Sequence, residues 1–160
     1  MNRRSFIKGL FLIPSILSFK LKASSNNNVT FDYGVASGDP TNSNVILWTK
    51  VTTMFNSDIK IKWQISSTRD FKNILTSGTA LSRSSNDFTV KVDVEVPNNF
   101  RGKKIFYRFF FNNTFSDIGI TNTLPPNNPN QYNIAFCSCS NHPAGYFNAY
   151  KEMAKNDDID

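Results

Sequence analysis

Histidine is nearly missing from this sequence: His142 is the only one, and cysteine occurs only at Cys137 and Cys139. A thiolate needs a cation beside it, and the chain offers such a centre few partners. No apolar run approaches the roughly 20 residues required to cross a bilayer, so no permanent membrane anchor is expected. Residues 1–23 contain no acid, and no long helical period interrupts the stretch from Phe31 to Leu124.

What the first 23 residues do contain is Arg3, Arg4, Lys8, Lys20 and Lys22. Removing those five from the 18 basic residues leaves 13 against 12 acidic ones, a balance of +1 in place of the whole-chain +6. The alkaline character therefore belongs to a leader rather than to a binding surface, and no nucleic-acid partner is implied. The order Arg3-Arg4-Ser5-Phe6-Ile7-Lys8, then an apolar Gly9 to Leu17 interrupted by Pro14, is a signal-peptide pattern. Its paired arginines resemble the twin-arginine export signal. We expect residues 1–23 to engage the twin-arginine export machinery, with cleavage near Ala23 and a periplasmic or secreted destination. That machinery moves proteins already folded, which suits a protein loaded with a metal before export.

From Phe31 to Leu124 the dominant signal is alternation. Phe88, Val90, Val92, Val94 and Val96 alternate with Thr89, Lys91, Asp93 and Glu95, as do Ile59, Ile61, Trp63 and Ile65 with Lys60, Lys62, Gln64 and Ser66. Such a period of two places one face of a strand on a core. Further strands are expected over Val45–Val51, Ile74–Ala80, Lys104–Phe111 and Phe115–Thr121, with turns at Gly38-Asp39-Pro40, Ser84-Ser85-Asn86-Asp87 and Asn112-Asn113. The fold class read from this is mainly β: an immunoglobulin- or fibronectin III-like β-sandwich over residues 31–124. Trp48 and Trp63 both stand among aliphatic strand residues and are expected in its core.

Residues 125–131, rich in Asn and Pro, read as a linker. Tyr132-Asn133-Ile134-Ala135-Phe136-Cys137-Ser138-Cys139 then forms an apolar run without polar alternation, the mark of a strand buried on both faces. After the loop Ser140 to Gly145, Tyr146, Tyr150, Met153 and Ala154 recur at helical spacing, and Pro143 suits a first helical turn. Residues 132–160 therefore read as the incomplete start of an α/β domain, cut at its second strand. Cys139 stands where the strand meets its loop, where sites gather in open α/β sheets. A bridge from Cys137 to Cys139 would join same-face strand positions near the upper limit of bridgeable Cα separation. The thiols alone leave inert core and metal ligand both open, with inert core the commoner case, and His142 reads as a solvated loop residue or helix cap ahead of a catalytic group.

Two stretches together resemble the alkaline phosphatase D group of exported phosphomonoesterases and phosphodiesterases. Phe31-Asp32-Tyr33-Gly34-Val35-Ala36-Ser37-Gly38-Asp39-Pro40 with Val45-Ile46-Leu47-Trp48-Thr49-Lys50-Val51 is similar to the opening of that family's N-terminal sandwich. Ile134 to Asn141 with Gly145-Tyr146-Phe147-Asn148-Ala149-Tyr150 is similar to the start of its metallophosphatase domain. The resemblance implies a phosphate ester substrate and a centre of Fe3+ and Ca2+ in which Cys139 binds iron. Thiolate suits the transition metal and oxygen donors suit calcium. The family's acidic, tyrosine, asparagine and histidine ligands lie beyond Ile159-Asp160, so Asp157, Asp158 and Asp160 are not assigned to those roles. Ile105 stands where related sandwiches often carry a tyrosine. The resemblance thus implies a fragment of a metal-dependent phosphatase or phosphodiesterase, inactive in isolation. The competing class is an exported β-sandwich binding or structural module without catalysis, for which Trp48 and Trp63 would be exposed.

Overall fold

Wherever apolar and polar residues alternate, the chain forms strand, because only an extended backbone sends successive side chains to opposite faces. The structure is a computed structural model that describes residues 28–125, 131–139, 141, 145–156 and 158–159. The leader and His142 lie outside the described residues. In chain order the strands are β1 (Val29–Thr30), β2 (Val35–Gly38), β3 (Asn44–Lys50), β4 (Thr52–Thr53), β5 (Ile59–Ser66), β6 (Ile74–Ser82), β7 (Thr89–Glu95), β8 (Ile105–Phe111), β9 (Thr114–Phe115) and β10 (Gly119–Thr121). One helix follows, α1 (Asn148–Met153).

The strands form two main antiparallel sheets, one in the order β10-β8-β5-β6 with β9 on β8, the other β2-β3-β7, plus a small β1-β4 pair. Their facing sides enclose one apolar cluster. Val45, Leu47, Val90 and Val94 come from the three-stranded sheet; Ile61, Ile65, Ile105, Tyr107 and Phe109 come from the larger one. This is the expected β-sandwich. The expected strand over Phe115–Thr121 is split into β9 and β10 by Ser116, whose hydroxyl accepts the Phe109 amide at 2.9 Å and donates to the Asp117 carbonyl at 2.7 Å.

The two tryptophans part company. Trp63 is in phase with Ile61 and Ile65 and packs against the core. In β3, Val45, Leu47 and Thr49 take the core face, so Trp48 falls on the outer face, opposite Ala36 of β2 and Lys91 of β7. The expectation of a core Trp48 is therefore corrected. Val45-Ile46-Leu47-Trp48 is apolar at both parities, so the run alone could not choose a face.

The outer face of the larger sheet carries a cation held by aromatics. The Arg108 guanidinium lies 4.0 Å from the Phe71 ring centre and 4.4 Å from that of Phe115, while its Nε and Nη2 donate to Gln64 Oε1 at 3.0 and 2.9 Å. Phe71 is buried although its φ of 57° is left-handed, a conformation that costs a non-glycine residue about 1–2 kcal/mol. The planar guanidinium over its ring offsets part of that cost. Arg108→Lys keeps the charge but loses the plane and the fork, and it should lower unfolding stability by about 1–2 kcal/mol in urea titration.

Candidate functional site

The exit of the sandwich fixes where the following segment begins. The Thr123 hydroxyl accepts the Gly102 amide at 2.8 Å, and the Leu124 amide donates to the Thr41 carbonyl at 2.9 Å. The chain therefore leaves beside the loop joining β2 to β3. There a cleft of about 800 Å3 separates the sandwich, through Ser37, Lys104 and Ile120, from the segment beyond it, through Tyr132, Ile134 and Met153.

Cys139, the residue singled out from the sequence, does not line that cleft. Its thiol is exposed and free, and Ser138 Oγ lies 3.8 Å from its sulfur. Cys137 is also free and is partly covered. The backbone at Cys139 has φ 60°, so the chain turns sharply at the thiol.

The strand expected over residues 132–139 is not formed: no described residue of 131–139 is in a strand, and Ile134 and Phe136 are 82% and 90% exposed. A strand buried on both faces needs neighbouring strands to take its backbone hydrogen bonds and helices to cover its sides. Among the described residues, no strand pairs with this run. The helix is present but short, opening at Asn148 rather than near Pro143, which lies outside the described residues. Tyr146 is 93% exposed, and the Phe147 and Tyr150 rings meet edge to face at 5.7 Å. The segment thus displays apolar side chains that the sandwich does not cover.

As a metal centre the described residues are incomplete. No group of three His, Cys, Asp or Glu side chains comes together among them, so the thiol of Cys139 is a single soft donor. The described residues do not by themselves fit a bound metal. Nor does any described helix have the length and apolarity to cross a membrane. Sequence reasoning missed the fastening of the exit by Thr123 and Leu124. Its signal was the Thr ahead of Leu-Pro-Pro, a residue that bonds backbone groups readily.

The described residues thus form a β-sandwich with a fastened exit, followed by a segment that carries an exposed thiol. The profile of the family described as PhoD-like phosphatase, N-terminal domain, matches residues 18–125, and the chain belongs to that family. Alkaline phosphatase D of Bacillus subtilis is 33% identical over 176 aligned residues, which cover 96% of this chain and 30% of that protein. A solved structure of PhoD, also 33% identical, superposes with a TM-score of 0.68 over 79% of this chain and 26% of its own. The chain spans between a quarter and a third of the length of these relatives.

Proposed function

We propose that this chain is the N-terminal part of an exported, metal-dependent phosphoric ester hydrolase. In this reading residues 1–23 are the twin-arginine signal, 31–124 the supporting sandwich, 125–131 the linker and 132–160 the opening of the metallophosphatase domain, with Cys139 as an iron ligand. The observation that carries the reading is the similarity to alkaline phosphatase D, which covers 96% of the chain and so continues past residue 125 into the cysteine segment. The exposed thiol of Cys139, which is in no disulfide, supports it, because such a sulfur is accessible to a cation.

In this reading Cys139 would be one of the residues that hold the iron, and a bound metal would supply Lewis-acid chemistry toward a phosphate ester. The chain's own contribution is one thiolate, positioned by a turn at its own backbone. A single ligand cannot hold two cations, so the 160-residue chain should hydrolyse no bis(p-nitrophenyl) phosphate above the rate of buffer. A polypeptide extended to the length of the relatives and purified after export should turn it over. Comparable turnover by the short chain would sink the proposal, and so would an extended protein that is folded and exported yet inert toward phosphate mono- and diesters. The alternative of a binding module without catalysis required both tryptophans to be exposed; Trp63 packs against the core, which disfavours it.

A further inference from the structure

Cys137 and Cys139 are the only cysteines of the chain, and both are free thiols. As neighbours on one face of an extended strand they would stand near the upper limit of bridgeable Cα separation with their Cβ bonds parallel, an arrangement poorly suited to a bond between the sulfurs. That objection depends on the strand, and the strand is not formed: none of residues 131–139 is in one, and no described strand pairs with them.

Exposure along the run locates the break in its pattern. Ala135 and Cys137 are half-buried while Ile134, Phe136 and Ser138 are exposed, so strict alternation would half-bury Cys139 together with Cys137. Cys139 is exposed instead. Its φ of 60° is the cause. A strand residue has φ of about −120 to −140°, so the Cβ of Cys139 is rotated about its N–Cα bond by roughly half a turn, out of parallel with that of Cys137. The two thiols also differ in the way a reacting pair should. Cys139 is open to a reagent in solution, and Ser138 Oγ donates to its sulfur at 3.8 Å; Cys137 is partly covered and lies two positions back. An exposed thiol beside a shielded one is the arrangement of an attacking and a resolving cysteine.

We propose that Cys137 and Cys139 are a dithiol pair that a small-molecule disulfide converts, reversibly, to an intramolecular bridge. The Cys139 thiolate attacks one sulfur of the reagent R–S–S–R, forming a mixed disulfide and releasing the first R–S−. The Cys137 thiolate then attacks the Cys139 sulfur, closing the bridge and releasing the second R–S−. The cysteine pair is oxidised by two electrons, and the reagent is reduced to two thiols, which take up the two protons that the cysteines lose. The ring so closed spans a single intervening residue, Ser138, so the bridge is strained and easily reduced: a labile bond rather than a structural one. No metal takes part, so the inference stands apart from the reading of Cys139 as an iron ligand.

Intact-mass measurement of the 160-residue chain, treated with excess oxidised glutathione in the presence of a metal chelator, tests this. The parent should lose the mass of two hydrogen atoms, keep no glutathione, show no free thiol and run as a monomer on a non-reducing gel, and a mild dithiol should return both thiols. Cys137→Ser should halt at the first step and retain one glutathione on Cys139. Cys139→Ser leaves only the covered thiol and should react about tenfold more slowly than Cys137→Ser. A parent that holds glutathione stably, keeps both thiols free or links to a second chain would overturn the proposal, and none of those readings needs a variant. Cys139→Ser reacting as fast as Cys137→Ser would overturn the assignment of Cys139 as the attacking sulfur.

Discussion

Cys139→Ala, made in a polypeptide that carries the whole catalytic domain, should abolish bound iron and with it phosphodiester turnover. Loss of a group that merely orients a metal ligand lowers affinity or activity by about 10- to 100-fold, so loss of a donor atom itself should cost at least that much. The sandwich should be untouched, because the thiol is exposed and makes no contact with the apolar cluster. Three readouts separate a ligand from a bystander: metal content after dialysis, the thiolate-to-iron absorption band, and an unchanged urea midpoint for the sandwich. Cys137→Ala is the control, and it should leave iron content near that of the parent. If Cys139→Ala retains its iron and its absorption band, Cys139 is not the ligand, whatever happens to the rate.

The second large effect is expected in the core, at Gly119. In the β8–β10 register this glycine lies opposite Tyr107, a residue only 2% exposed. A Cβ at Gly119 would fall within 2.5 Å of the tyrosine hydroxyl oxygen and closer still to its ring. The ring has nowhere to move, since it packs edge to face on Phe109 at 6.5 Å and its hydroxyl hydrogen-bonds Ser37 in the other sheet. Gly119→Ala should therefore destabilise the sandwich by about 3 kcal/mol, the upper end of what overpacking costs, read as a fall in the urea midpoint. Gly119→Ala combined with Tyr107→Leu, which removes the ring, should recover part of the loss relative to Tyr107→Leu alone. A Gly119→Ala protein as stable as the parent would show that β10 can peel from β8 without penalty.

Tyr107 also gives the sandwich a sensitivity to alkali. Burial raises the pKa of its phenol above the ordinary value of 10.0, with the Ser37 hydrogen bond working the other way. The folded protein then holds this proton at a pH where the unfolded chain has lost it. Stability from this group is complete below the unfolded pKa and falls as pH rises beyond it. Tyr107→Phe should flatten that part of the stability curve above about pH 10 relative to the parent, leaving the titration of the other tyrosines and lysines in place.

Much of this architecture was legible in alternation alone. The strands β5 and β7 stand where Ile59-Lys60-Ile61 and Val90-Lys91-Val92 place them, because a polar residue at every second position leaves one choice of buried face. β3 was legible as a strand but not in its orientation, since both faces of Val45-Ile46-Leu47-Trp48 are apolar. Which face turned inward was decided by pairing with β7, whose parity is unambiguous. The thiol of Cys139 was legible as a candidate through its resemblance to a family motif, while its exposure and its turned backbone were not.

By itself the sequence determined where β3, β5, β6, β7 and β8 run, where the turns between them fall, and which phosphatase family the chain resembles, because these depend on neighbours a few residues apart. Only the tertiary structure decided that Trp48 faces outward, that Arg108 is held between Phe71 and Phe115, and that Gly119 makes room for Tyr107. Each of those facts joins residues far apart in the chain. Local preference carries no information about which strand will lie beside another, and that choice is made by closing one apolar core between two sheets.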